Sequence, residues 1–154
     1  MAGQVLPGSV IGITVNGEEV QCELESSLSI TPNTTENDPC KPSSTESYKS
    51  ATWTDPTIDS KSWEITFNAK AFADAVAFNN LDMIDLLVNG DPIVEVQFYT
   101  KQHPDYDFDE IAIFSGKGIL SLDDWTAPAE GESTYSGTIT GKGKPTFVRT
   151  PITT

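Results

Sequence analysis

The sequence predicts a mainly-β domain, an antiparallel β-sandwich or barrel of six or seven strands with one short flanking α-helix. Three observations carry this prediction. Apolar and polar residues alternate over most of the chain, an Asn-Gly pair separates two alternating runs near the start, and one segment alone has helical spacing.

The first element is a hairpin. In "IGITVNGEEVQCEL", Ile11, Ile13 and Val15 share one face, and Val20, Cys22 and Leu24 share one face after Asn16-Gly17. Both central residues of a type I′ turn need positive φ, which Asn and Gly supply, so Ile13 should face Val20 and Ile11 should face Cys22. Alternation continues through Leu28 and Ile30. From Thr31 to Lys61 the chain is polar, carries Pro32, Pro39, Pro42 and Pro56, and shows no period, which reads as a long inter-strand loop over 31–61. Its Tyr48 and Trp53 are unusual for a free linker and suggest ordering against a partner.

"SWEITFNAKA" sets Trp63, Ile65, Phe67, Ala69 and Ala71 on one face of a half-buried strand. "NNLDMIDLLVNG" then offers an Asn cap, Asp82 in the first turn, a stripe of Leu81, Ile84, Leu87 and Val88, and Gly90 as a stop. Three further runs, "IVEVQFYT", "EIAIFSGKGILSL" and "STYSGTITGKG", alternate as strands, with "DDWTAPAEGE" as a turn or short loop between the last two. Residues 145–154 read as an extended C-terminal tail of a single domain, 1–154.

Composition narrows the function. With 23 Asp+Glu against 9 Lys+Arg and a net charge of −14, the chain should repel nucleic acid, whose binders neutralise phosphates. No apolar run approaches the length that crosses a bilayer, and "MAGQVLPGSV" lacks a basic region followed by an apolar one, so no membrane insertion and no secretion are expected. Cys22 and Cys40 are expected as reduced thiols.

Motifs for chemistry fail on spacing. "SGKGILSLDDW" lacks the glycine that a phosphate loop needs before Gly116, has Gly118 after Lys117 where Ser or Thr is required, and is followed by a strand. The Asp105–Glu110 run begins like a calcium loop but has Glu110 at its sixth position and Gly116 at its twelfth. A single histidine, His103, cannot build a multi-histidine metal site, and adjacent carboxylates on strands point apart. No catalytic residue, metal ligand or cofactor is expected, and the chain is not expected to be an enzyme. Within strands, Gly116 and Gly118 share a face with Phe114 and Leu120, and Gly137 and Gly141 with Tyr135 and Ile139. Such gaps mark a bulge or the close approach of a large neighbour.

Taken together, the opening hairpin, "ESSLSITPN" leading into "YKSATWTDPTIDSKSWEITFNAKA", "NNLDMIDLLVNGDPIVEVQFYT" and the closing "FSGKGILSLDDWTAPAEGESTYSGTITGKGKPTF" resemble the major tail proteins, or tail tube proteins, of long-tailed phages over most of the chain. The resemblance implies a structural virion protein, made in the host cytoplasm, that forms hexameric rings stacked into a hollow tube through which DNA passes without specific binding. It implies tape-measure, tail-terminator and distal tail or baseplate proteins as further partners. It makes the 31–61 loop an inter-ring element with Tyr48, Trp53, Asp55 and Lys61 as contacts, and Gly116, Gly118, Gly137 and Gly141 candidates for assembly at strand edges. Six copies would together carry about −84, which would let DNA slide through an acidic lumen. Two other readings stay open: the tube of a contractile injection or type VI secretion device, and an all-β glycan-binding module using Trp53 and Trp125.

Overall fold

The computed structural model describes residues 5–36, 56–74, 77–105 and 107–149. Among these residues, seven strands form one antiparallel sheet: β1 (Ile11–Val15), β2 (Glu18–Glu19), β3 (Glu23–Glu36), β4 (Pro56–Lys70), β5 (Ile93–Thr100), β6 (Ala112–Thr126) and β7 (Thr134–Phe147). Their order across the sheet is β2-β1-β5-β6-β7-β4-β3. One α-helix, α1 (Asn80–Asn89), precedes β5. The expected class, mainly β and antiparallel with a single short helix, is the class observed, with one continuous sheet in place of two separate layers.

The connectivity forces that sheet to curl. In a flat sheet the outer strands β2 and β3 would lie about 29 Å apart at roughly 4.8 Å per strand. The linker between them, Val20 to Cys22, spans at most about 14 Å. The edges must therefore approach each other, and they do: the Ile13 backbone N–H on β1 donates to Glu23 Oε2 at the start of β3 at 3.2 Å. The result is a barrel left open along one seam. Its interior holds Ile13, Val15, Trp63, Ile65, Phe67, Ala69, Val94, Val96, Phe114, Leu120, Tyr135 and Ile139, closed at one end by Phe78 and Met83. These are the alternate positions read from β1, β4, β5, β6 and β7, because one face of each strand meets the interior and the other meets water.

The Asn16-Gly17 turn has φ of 52° and 84°, the positive values a type I′ hairpin requires, and Thr14 pairs with Glu19 as a two-residue loop dictates. Val20 N–H donates to Ile13 O, so that part of the register holds. The expected pairing of Ile11 with Cys22 does not form. Cys22 has φ of 51° and is exposed, and the chain turns there into β3, while Ile11 pairs with Thr100 on β5. Cys22 is a free thiol, and Cys40 lies outside the described residues.

Helix α1 starts as the residues prescribe. Asn79 accepts from Leu81 N–H, and Asp82 accepts from Asn79 N–H at 3.3 Å, a reciprocal capping box. Asn79 Nδ2 also donates to Gln21 Oε1 and Asp74 O, so this buried amide ties the helix start to the β2–β3 linker. The buried stripe differs from the expected one. Asn80 and Met83 are buried and Leu86 and Leu87 pack on the core, whereas Leu81 and Val88 face solvent. The reason is rotational: an apolar-rich helix offers several stripes, and the short tether to β5 selects one of them.

Tyr135 is 1% exposed, and its hydroxyl has no hydrogen-bond partner among the described residues. Burial first, then the carboxylates of Asp82 and Glu23, push its phenol well above the ordinary tyrosine value. A folded-state pKa above the unfolded one means the stabilising contribution is complete below about pH 10 and is lost as pH rises beyond it, at about 1.4 kcal/mol per pH unit. Tyr99, raised by burial and then by Glu19, adds to the same alkaline loss. Tyr135→Phe should flatten Tyr135's share of that loss and raise stability by about 1 kcal/mol at neutral pH, because it deletes an unpaired buried hydroxyl. Urea unfolding at pH 7 and between pH 10 and 12 measures both effects, and destabilisation at pH 7 would show that the hydroxyl is paired.

Candidate assembly surfaces

The stretch expected as an aperiodic loop is strand at both described ends. Thr31–Glu36 pairs with Pro56–Ser62, extending β3 and β4 well past the point where β4 leaves β7 at Glu64–Thr140. This two-stranded arm projects about 20 Å. Every side chain described on it is exposed, including Ile58 at 59%, and Ile30 at its root is 58% exposed. Asn33 Nδ2 donates to Ser60 Oγ at 3.0 Å and Thr35 Oγ1 to Asp59. The prolines fit the ladder: Pro32 lies on edge strand β3 and Pro56 opens β4, two positions where a missing N–H is tolerated. Lys61 sits on the arm opposite Pro32. Tyr48, Trp53 and Asp55 lie outside the described residues.

Trp63 fastens the root of this arm. Its indole lies across Gly116 and Gly141, Nε1–H donates to Gly143 O at 3.1 Å, and Phe114 meets it edge-on at 5.1 Å. A Cβ on Gly116 would come 2.7 Å from Trp63 Cζ2, and one on Gly141 would run into the indole ring. A Cβ on Gly118 would come 2.5 Å from Ile139 Cγ2, and one on Gly137 would run into Met83 and crowd Phe67. The four glycines singled out as edge candidates thus make room for large neighbours on β6 and β7, strands interior to the sheet order, with Gly141 just past Thr140, where β7 no longer has β4 beside it. Positions 145–147, expected in the C-terminal tail, belong to β7, which runs to Phe147. Pro145 is tolerated there because β7 has lost β4 as a neighbour beyond Thr140.

One stretch of the sheet's outward face is polar, although Ile93 and Ile119, cross-strand partners, are exposed elsewhere on it. Ser27, Thr66, Thr138, Ser121 and Asp123 run across it, linked by hydrogen bonds such as Ser121 Oγ to Thr138 O at 3.2 Å. A second feature, missed in the sequence, is basic. Lys117 and Lys142 are direct cross-strand partners, and Lys144 adjoins them beside a shallow groove of about 380 Å³ that Glu95, Gln97 and Ser115 also line. Alternation alone places Lys117 outward, but only the β6–β7 register brings Lys142 opposite it. Among the described residues, no group of three or more His, Cys, Asp or Glu side chains is placed to hold a metal ion. No described helix is long and apolar enough to cross a membrane.

No family model and no curated protein matches the chain. Solved structures do. A chain in the virion of a native gene transfer agent particle aligns with a TM-score of 0.62 at 16% identity, over 94% of this chain and 99% of that one. A chain in the tail of an empty particle of the same kind, determined by helical refinement with C6 symmetry, aligns with the same TM-score, identity and coverage. The fold, nearly end to end, is that of a protein built into a tailed particle.

Proposed function

We propose that this chain is a structural, non-catalytic tail subunit whose copies close into hexameric rings and stack into a hollow tube through which DNA is delivered. The observation that carries the reading is an exposed β arm on a fold shared, over 94% of the chain, with a protein of a C6-symmetric tail. A two-stranded ribbon is marginal on its own in water, and one that exposes Ile58, with Ile30 exposed at its root, gains most by lying against another surface. In the tube that surface is the adjacent ring, and the arm with residues 37–55, among them Tyr48, Trp53 and Asp55, supplies the inter-ring contact. The free outer edge of β3 suits pairing with a neighbouring copy in the ring.

An acidic lumen, in keeping with the net charge of −14, would let DNA pass without sticking. The tube ends meet the tape-measure, terminator and distal tail or baseplate proteins, and the site of action is the virion tail. Negative-stain microscopy of the concentrated protein, with light scattering on a sizing column, tests the reading. Rings or hollow tubes are expected. A monomer at every concentration that binds a glycan array would replace it with a sugar-binding module.

A further inference from the structure

The lysine cluster on β6 and β7 is not absorbed by the fold. Like charges directly opposite across two strands destabilise the pair, and Lys117 faces Lys142 in that way. In a chain with more than twice as many acidic as basic residues, carboxylates were available to neutralise them. Among the described residues, Lys70 and Lys101 each make an ion pair, whereas Lys117, Lys142 and Lys144 make none. Glu95 is the β5 partner of Lys117 without closing an ion pair. All three ammonium groups are exposed, so their burial explains nothing.

We infer that this cluster is an electrostatic docking patch for a carboxylate-bearing face of a second copy of the chain. It rests on the self-association reading above and adds the surface that carries it. The partner follows from charge. Without these three lysines the chain would stand at −17, so whatever face a neighbouring copy presents is drawn from a strongly acidic surface. Copies with a net charge of −14 repel one another, and a local cationic patch converts that repulsion into attraction in one orientation. The contact is head-to-tail, patch to acid, which generates rings and stacks and not closed two-fold pairs.

The test compares K117Q/K142Q/K144Q with T126E/A127E/A129E, which reaches the same net charge at exposed positions at the end of β6 and in the turn that follows it. Light scattering and sedimentation give the concentration for half-assembly. The glutamine variant should raise it roughly tenfold at low salt and the turn variant by less than about twofold. The difference should shrink at about 0.5 M salt, where screening reaches within a few ångströms. K117R/K142R/K144R should assemble like the wild type, and circular dichroism should find all four proteins folded. Equal shifts in the two charge-matched variants would reduce the effect to net charge and overturn the patch. So would normal assembly of the glutamine variant, whether or not it lost affinity for a labelled DNA duplex; such a loss would assign the lysines to DNA. A wild type that never assembles removes the self-association reading itself, and this inference with it.

Discussion

Gly141→Val is expected to destabilise the protein by about 3 kcal/mol, at the upper end of what overpacking a filled site costs. The first added carbon would already fall on the Trp63 indole, and valine adds two more. The indole has no easy retreat. Phe114 stands against it edge-on, and its N–H is committed to Gly143 O. For a chain of this size the loss corresponds to a drop of roughly 6–12 °C in Tm, measured by thermal unfolding at fixed pH. A double-mutant cycle identifies the cause. In a Trp63→Leu background the penalty of Gly141→Val should fall below about 1 kcal/mol, because the clash partner is gone. An undiminished penalty would assign the cost to the strand backbone.

Removal of the arm should have the opposite signature, leaving stability intact while assembly is lost. Replacing Thr31–Ser62 by Asn-Gly joins Ile30 to Trp63, which are already cross-strand partners. The described side chains removed are all exposed, so unfolding free energy should change by about 0.5 kcal/mol or less, as for surface changes generally. Tubes should disappear from micrographs at concentrations where the intact chain forms them, with single rings as the largest species. Normal tubes from the shortened chain would exclude the arm as the inter-ring element. Loss of both folding and tubes would show that the arm, its tip included, contributes to the fold.

Legibility in the sequence followed burial. Trp63, Ile65, Phe67 and Ala69 declared their face because each is buried between polar neighbours that are exposed or half-buried, and the Asn16-Gly17 turn was readable because few residues tolerate two positive φ values in succession. The arm was illegible for the converse reason. With water on both faces, Thr31–Glu36 and Pro56–Ser62 carry no hydrophobic period, and Pro32 argues against a strand unless that strand is known to be an edge. On α1, four apolar residues fitted a stripe, yet Met83 and not Leu81 is buried, since the rotation of the helix is set by what it packs on. The glycines announced a close approach without naming the neighbour, and Trp63 lies more than fifty positions away from both Gly116 and Gly141.

By itself, then, the sequence determined the strand class, the first turn, the capped helix and the acidic character, all of which depend on neighbours within a few positions. Only the tertiary structure decided that the sheet is single and curled, that β4 leaves β7 to form an arm, that Trp63 fills the space above two glycines, and that three lysines meet on one face. Each of those depends on the register between strands distant in the chain, and register is set by the packing of the whole core.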